Sequence, residues 1–481
     1  MTRSEAAPNI PRKLASEEVR FPVRTEGACE VLSQEENDIL TRVGPDTPMG
    51  RMMRRFWIPI CTAAQVSEPD GAPLRTTLLG ENFVVFRDTE GRVGVLDELC
   101  VHRGASLALG RNEQGGLRCL YHGWKFCVDG TVLDMPNSRN AKLKQRLRAP
   151  AHPVREAGGL VWVYLGPAGQ EPPLPHFEFM DGPPENRTVI RVNAAANYLQ
   201  LFEGGVDSSH VGILHSAQAD PAWMHASDGA ANGEFGTAED SDMNLGALAV
   251  LDNAPDLELE DTTFGFRCAA VRRGGTDATG APIRSVRIVP VILPTCRIIP
   301  AANGFRFFVF EVPMSDTRTS TYTVVHGPRP ADREALLRTL GLADERFWND
   351  RDCDFRATWA DGLGQDRALM ASNWTGFAGI EQEDVVLSLS MGPILDRSRE
   401  HMVAADHGVI HLRARLLESV RRSESGQAPI GLEQDDHRAT RAVHDTVLAE
   451  GQAWQSLPNT DLPEPEPQRP NAMGESRAGR R

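Results

Sequence analysis

The chain has 481 residues and a mass of 52.7 kDa, more than one hydrophobic core usually spans, so two or three domains are expected and a single small binding module is excluded. Hydrophobic residues make up 41% and charged residues 24%, ordinary proportions for a chain that buries a core. Lys and Arg number 51 against 66 Asp and Glu, a formal charge of −15, and an acidic surface repels phosphate backbones, which argues against a nucleic-acid partner.

In chain order, residues 1–28 are polar with no sustained apolar period and read as a tail. They contain no apolar signal region, and no run of 18 or more apolar residues follows, so neither a membrane partner nor a secretory route is expected and the cytoplasm is the predicted address. The eight cysteines are scattered rather than dense, which predicts reduced thiols and metal ligands, not a disulfide framework. Ser33-x-x-Glu36 predicts a capped helix carrying Ile39, Leu40 and Val43, and Thr47-Pro48 predicts the cap and first residue of another. From Phe83 to Tyr164 short β-rich pieces alternate with turns: FVVFR, DTEG, VGVL, CVDG, LVWVYLG. These give a first domain over 29–170. A Pro-rich stretch from 171 to 186 opens the second, 171–457. That region begins with a helix predicted from Tyr198 to His215, runs through GFRCAAVRR, SVRIVPVIL and FRFFVFEVP, and ends in a helix from Asp406 to Arg421 with Val409, Leu412, Leu416 and Val420 on one face. Residues 458–481 read as a second tail, rich in Pro and charge. The fold class is α+β.

The sharpest motif is Cys100-Val101-His102 followed, after sixteen residues, by Cys119-Leu120-Tyr121-His122. A Cys2His2 zinc finger usually keeps its cysteines together and its histidines together, whereas here each loop offers one thiolate and one imidazole. That division suits a Rieske 2Fe-2S centre, in which two Cys bind one iron and two His the other. Cys127 lies nearby without a paired His and is expected to be a buried thiol.

A second constellation runs Glu203-Gly-Gly-Val-Asp207-Ser-Ser-His210-Val-Gly-Ile-Leu-His215. Asp207 and His210 would share a helix face. His210 and His215 would lie about 140° apart on an ideal helix, so converging on one ion requires a π-bulge or a break, which Gly212 eases. Two His and one carboxylate form the facial triad of non-haem Fe(II) oxygenases. Spacing leaves Asp352, Asp354, Asp361, Asp366, Glu381, Glu383 and Asp384 open as the third ligand.

The segments LSQEENDILTRVGPDTPMGRMMRRFWIPI, CVHRGASLALG, YHGWKFCVDG and SMGPILDRSREH resemble the large, oxygenase subunits of the Rieske non-haem iron aromatic-ring oxygenases, most closely the phthalate dioxygenase branch. The resemblance spans about residues 30 to 455 and departs at Cys127, where that branch more often has Asp, and in both tails. It implies a Rieske β domain followed by a catalytic domain of antiparallel sheet flanked by helices. It implies a ferrous ion held by His210, His215 and Asp384, which lies seven residues before Met391, with Glu383 as rival. It further implies that Asp207 bridges His210 to His122 of a neighbouring subunit's cluster, hence a ring-shaped homo-oligomer, most simply a trimer. Because the chain has no Gly-rich dinucleotide fingerprint after a strand, NADH electrons would arrive through a separate flavin and iron-sulfur reductase. The implied reaction is O2-dependent cis-dihydroxylation of a phthalate-like aromatic acid, with monooxygenation or O-demethylation as the alternative.

A carboxylate substrate calls for a cation. Arg267, Arg272 and Arg273 lie in GFRCAAVRR, with Arg267 and Arg273 on one strand face and Arg272 on the other, and nothing in the sequence says which faces the pocket. Two other classes are weighed. A Rieske-only electron carrier could end near residue 165, and a zinc-stabilised interaction protein would be colourless.

Overall fold

The computed structural model describes residues 31–216, 252–276, 282–300, 305–449 and 451–457. Both expected tails, 1–28 and 458–481, lie outside the described residues.

Helices α1 (Gln34–Thr41) and α2 (Pro48–Met53) open the described chain. The predicted capping box is present, Glu36 N–H donating to Ser33 Oγ and Ser33 N–H to the Glu36 carboxylate, and Thr47 caps the Pro-led second helix. Strands β1 (Trp57–Thr62), β10 (Val154–Ala157) and β11 (Leu160–Tyr164) form a three-stranded antiparallel sheet. Strands β2 (Leu74–Leu78), β3 (Glu81–Arg87), β4 (Val93–Asp97) and β9 (Ala151–His152) form a second sheet. A third holds β5 (Arg111–Glu113), β6 (Gly116–Arg118), β7 (Lys125–Phe126) and β8 (Val132–Asp134), followed by helix α3 (Ala141–Arg146).

The rest of the chain is organised on one eight-stranded antiparallel sheet in the order β12 (Arg187–Ala194), β18 (Arg318–His326), β17 (Arg306–Ser315), β16 (Cys296–Pro300), β15 (Pro282–Ile292), β14 (Gly265–Thr276) and β13 (Asp256–Thr262), with β19 (Val443–Ala449) paired to β15. Alternation along β17 shows why FRFFVFEVP carries apolar residues on both faces. Phe308, Phe310 and Val312 face a core shared with β1, β11 and the N-terminal helices, while Phe307 and Val309 face a second core containing Trp348, Phe355, Val385 and Val386. Trp162 of β11 meets Phe310 edge-on at 5.5 Å and Phe177 in a stack at 6.3 Å, so the first sheet and the large sheet share one core. Each fully buried Phe or Trp contributes about 2–3 kcal/mol to that junction.

Four helices lie over the large sheet: α4 (Tyr198–Gly204), the single turn α5 (Val211–Leu214), α7 (Ile380–Ser390) and α8 (His407–Glu424), with α6 (Arg333–Thr339) at the edge of the second core. The continuous helix predicted from Tyr198 to His215 is not what forms. It stops at Gly204, and the Arg297 side chain packs so closely on the next residue that a Cβ on Gly205 would sit 1.7 Å from Arg297 Nε. The C-terminal helix extends three residues past the predicted Arg421, to Glu424. Among the described residues no helix is long and apolar enough to cross a membrane.

Candidate metal centres

The first site sits on two loops, one between β4 and β5 and one between β6 and β7, that close in the same way. Cys100 N–H donates to Ala105 O at 2.9 Å and Gly104 N–H to Cys100 O at 2.8 Å; in the other loop Cys119 N–H donates to Trp124 O at 2.8 Å and Gly123 N–H to Cys119 O at 3.0 Å. The glycine four residues after each cysteine has a positive φ, +71° and +75°, a conformation that costs an L-residue strain. This repeated closure is readable in the sequence as Cys-x3-Gly in both loops.

The four side chains converge. The His102 and His122 rings lie 4.5 Å apart, and both cysteines are buried free thiols. His102 stacks on Trp124 at 4.5 Å, and Trp124 is itself held by an Nε1–H bond to Asn137. Burial pushes the Cys100 thiol up to about 11 against the pull of the His102 amide, and the nearby Cys119 pushes it further. Two thiols that oppose each other's ionisation are stable as thiolates only beside a cation. Burial, His102 and Arg103 hold the His122 imidazole below its ordinary value, in the neutral form that ligates. His122 Nδ1 is buried and has no hydrogen-bond partner among the described residues. The donor set and these unmet groups fit a Rieske cluster. Cys127, expected to be buried, is half-buried instead, because it follows β7 into the turn closed by Thr131 and lies 3.8 Å from Arg92 Nη2.

The second site is built from the broken helix. After Gly205 the chain turns so that Asp207 Oδ1 accepts Ser209 N–H at 2.8 Å and Oδ2 lies 3.4 Å from His210 Nδ1. Asp207 and His210 therefore meet through a turn and not along a helix face. His210 precedes α5 and His215 follows it, with their rings 5.1 Å apart at 78°. Asp384, in the middle of α7, places Oδ1 3.2 Å from His215 Nε2 and 3.7 Å from His210 Nε2. One ligating atom from each of His210, His215 and Asp384 lies within 4.8 Å of the others.

Glu383 takes a different position from Asp384. Fully buried, it accepts from His215 Nδ1 at 2.6 Å and from Thr375 Oγ1 at 2.5 Å. Consecutive residues of one helix thus address the two nitrogens of one imidazole. Burial opposes protonation of His215, but Asp384 and Glu383 outweigh it and raise the imidazole to about 10. A divalent cation in place of the proton at Nε2 satisfies the same two carboxylates, so the site fits a ferrous ion. Of the other carboxylates open from spacing, Glu381 lines the same cavity, Asp352 and Asp354 line a separate one, and Asp361 caps its own turn at Thr358. Asp366 accepts from Ala368 N–H.

The turn and helix are anchored by groups whose partners the sequence does not reveal. Glu203, at the end of α4, takes Arg397 Nε at 2.9 Å and Arg413 Nε at 2.6 Å, and Arg413 continues to Glu400 at 2.7 Å. Burial works against ionised Glu203, and the two guanidiniums outweigh it. Gln200 ties α4 to the end of α7 by donating to Ser388 O and Gly392 O. Arg397 and Glu400 belong to the SMGPILDRSREH segment, so two of its charged residues serve this network. Arg272 is buried and donates to Ser208 O at 3.0 Å, supporting the Asp207 turn. Arg267 instead pairs with Glu260 and lies over Trp454, facing away from this site. The Arg273 side chain lies outside the described part of the structure.

His210, Asp207 and Asp384 line a cavity of about 400 Å³ whose apolar wall includes Leu201, Leu214, Leu387, Met391, Met402 and Val409. Residues 56–150 match the Rieske [2Fe-2S] domain family, and 163–469 match the LigXa C-terminal domain like family. The phthalate 4,5-dioxygenase oxygenase subunit of Pseudomonas putida is 38% identical over 83% of this chain and 89% of its own length. The chain belongs to the Rieske non-haem iron oxygenases. It falls among their large, oxygenase subunits, in the phthalate 4,5-dioxygenase-like branch. The 3-chlorobenzoate-3,4-dioxygenase oxygenase subunit of Comamonas testosteroni is 33% identical over 84% of this chain and 93% of its own length. A crystal structure of dicamba monooxygenase bound to dicamba shares the fold, with a TM-score of 0.52 at 17% identity over 78% of this chain and 99% of that one. Membership makes the chain an oxidoreductase, the oxygenase component of a multicomponent system that uses a Rieske cluster and mononuclear iron.

Proposed function

We propose that this oxygenase cis-dihydroxylates a phthalate-like aromatic acid, using O2 and electrons that pass from NADH through a flavin and iron-sulfur reductase. The observation that carries the reading is the convergence of His210, His215 and Asp384 beside a largely apolar cavity that His210 and Asp384 line, in a chain whose named relatives act on phthalate and 3-chlorobenzoate. We take residues 29–170 as the electron-receiving unit, with Cys100, His102, Cys119 and His122 holding the cluster, and 171–457 as the catalytic unit, with His210, His215 and Asp384 holding the iron. When bound, the cluster supplies single electrons and the ferrous ion supplies open coordination positions for dioxygen.

The chain's own groups set the conditions. Glu383 accepts the His215 Nδ1–H, which fixes the tautomer and turns Nε2 toward the ligand position. Asp207 faces His210 Nδ1 and would accept a second hydrogen bond from His122 of a neighbouring subunit, linking the two centres. Leu201, Leu214, Leu387 and Met391 bury an aromatic ring and exclude water from it. The exposed apolar residues support a ring-shaped assembly. Leu99, Leu120 and Tyr121 stand out around the cluster loops, and Ile213 beside the second site, as surfaces that pair in an oligomer do.

The test is to reduce the purified protein chemically and follow reoxidation of the cluster in oxygenated buffer with aromatic acids added singly. A phthalate-like acid is expected to accelerate reoxidation. A rate that stays the same with every aromatic acid contradicts the proposal.

A further inference from the structure

A second cavity, of about 410 Å³, opens where β2 meets β12 and β18, away from both metal centres. Its wall includes Arg75, Arg191, Arg318 and Arg351 but only two carboxylates, Asp352 and Asp354. Most of these charges are spent. Arg75 pairs with Glu98 at 2.7 Å and Arg318 with Asp354 at 2.5 Å, while Asp352 receives Arg356 through both oxygens at 2.7 and 2.8 Å.

Arg191 is different. It is only 5% exposed, and every hydrogen bond it makes goes to a neutral oxygen. Nε donates to Asn193 Oδ1 and Ser320 Oγ at 3.1 Å, Nη1 to Gln65 Oε1 at 3.2 Å, and Nη2 to Thr76 Oγ1 at 3.2 Å and Ser320 Oγ at 3.0 Å. The Tyr322 ring lies 5.4 Å from the guanidinium carbon. Among the described residues no carboxylate lies within ion-pair distance of it; Asp354, already paired with Arg318, feels its charge from further off, and the exposed Arg351 at the rim has no carboxylate partner either. Its charge reaches its neighbours, opposing the burial that pushes the Cys61 thiol up to about 12. A buried guanidinium with only neutral partners is costly, and its planar fork matches the oxygens of a carboxylate or phosphate.

We propose that this cleft binds a small oxyanion, a carboxylate or a phosphate, held by Arg191 from within and by Arg351 from the rim. Arg191 already joins Gln65 and Thr76 of the N-terminal half to Asn193 and Ser320 of the large sheet, so an anion here stiffens the junction between the two halves. The proposal is independent of the assignment of the iron site.

The test titrates the purified full-length oxygenase with inorganic phosphate and, separately, with benzoate, following heat of binding and unfolding temperature. Saturable binding with a raised unfolding temperature is expected for at least one anion, and which one identifies its source. Arg351→Gln and Arg191→Gln should each weaken binding about tenfold or more. The rim variant should keep the cluster absorption spectrum of the parent, which separates lost binding from lost folding. Benzoate binding that Arg351→Gln leaves intact is binding in the catalytic cavity and counts against the cleft. The proposal is overturned if neither anion binds saturably, or if both variants bind as the parent does.

Discussion

Asp384 and Glu383 are chemically alike and adjacent, yet helix geometry sends one to His215 Nε2 and the other to Nδ1. Their substitutions should therefore fail differently. Asp384→Ala removes a proposed ligand, so mononuclear iron and turnover should be lost while the cluster absorption spectrum stays unchanged; retained activity would sink the assignment. Glu383→Ala leaves the ligand set intact but frees the His215 ring, and iron affinity should fall about 10- to 100-fold. Glu383→Gln keeps an acceptor at the same place and should recover part of that loss, read by iron analysis after dialysis. The pairing of Glu383 with His215 could not be read from sequence, because the two are 168 residues apart. Spacing left seven carboxylates open, and the family resemblance, not the local pattern, pointed to Asp384. The cluster loops were more legible, since each Cys and His pair and its following glycine lie within five consecutive residues, where chain geometry alone brings them together.

Among the elements, the short capped helices and the strands rich in Val, Ile and Phe were legible because their signals are local: a capping box at Ser33 and Glu36, a run of Phe and Val in FRFFVFEVP. The break in the helix after Gly204 was not, because the Arg297 side chain that packs on Gly205 comes from the distant β16. The segment that precedes β19 carries an element-scale prediction. His437 is buried, stacked on Phe177 at 5.0 Å and edge-on to Phe264 at 5.9 Å. Burial lowers its imidazole to about 4, against the opposing pull of the Gln434 backbone and of Asp436 and Asp435. The unfolded chain takes up this proton near pH 6.5 and the native protein only near pH 4, so the unfolded state binds more protons in between. Stability from this group is thus full above pH 6.5 and declines as the pH falls toward 4, by about 3 kcal/mol in all. His437→Phe should flatten that part of the stability curve in denaturant titrations across this range. A variant with the parent's acid dependence would show that His437 titrates normally.

At the scale of the whole molecule, one hydrophobic core joins the Rieske half to the large sheet, and the proposed electron route passes from one subunit's His122 to Asp207 of its neighbour. A subunit carrying Asp207→Asn can then still donate electrons, and one carrying His122→Ala can still receive them. Each homo-oligomer should be nearly inactive, whereas co-expressed mixtures should regain a substantial fraction of activity. Mixtures as inactive as their parents would place the route within a single chain. Only the family resemblance, and no local pattern, pointed to this assembly and to an aromatic acid, because the pocket wall is made by side chains scattered between Gln200 and Arg413.

The central claim, dioxygenation of an aromatic acid, is tested most directly by a single turnover under isotopically heavy dioxygen. Chemically reduced protein is mixed with the acid that accelerates cluster reoxidation, and the product is weighed by mass spectrometry. The account predicts a ring diol carrying two labelled oxygens and two additional hydrogens. A product with one labelled oxygen, or one that has lost a methyl group, would contradict it and assign the chain to monooxygenation or O-demethylation.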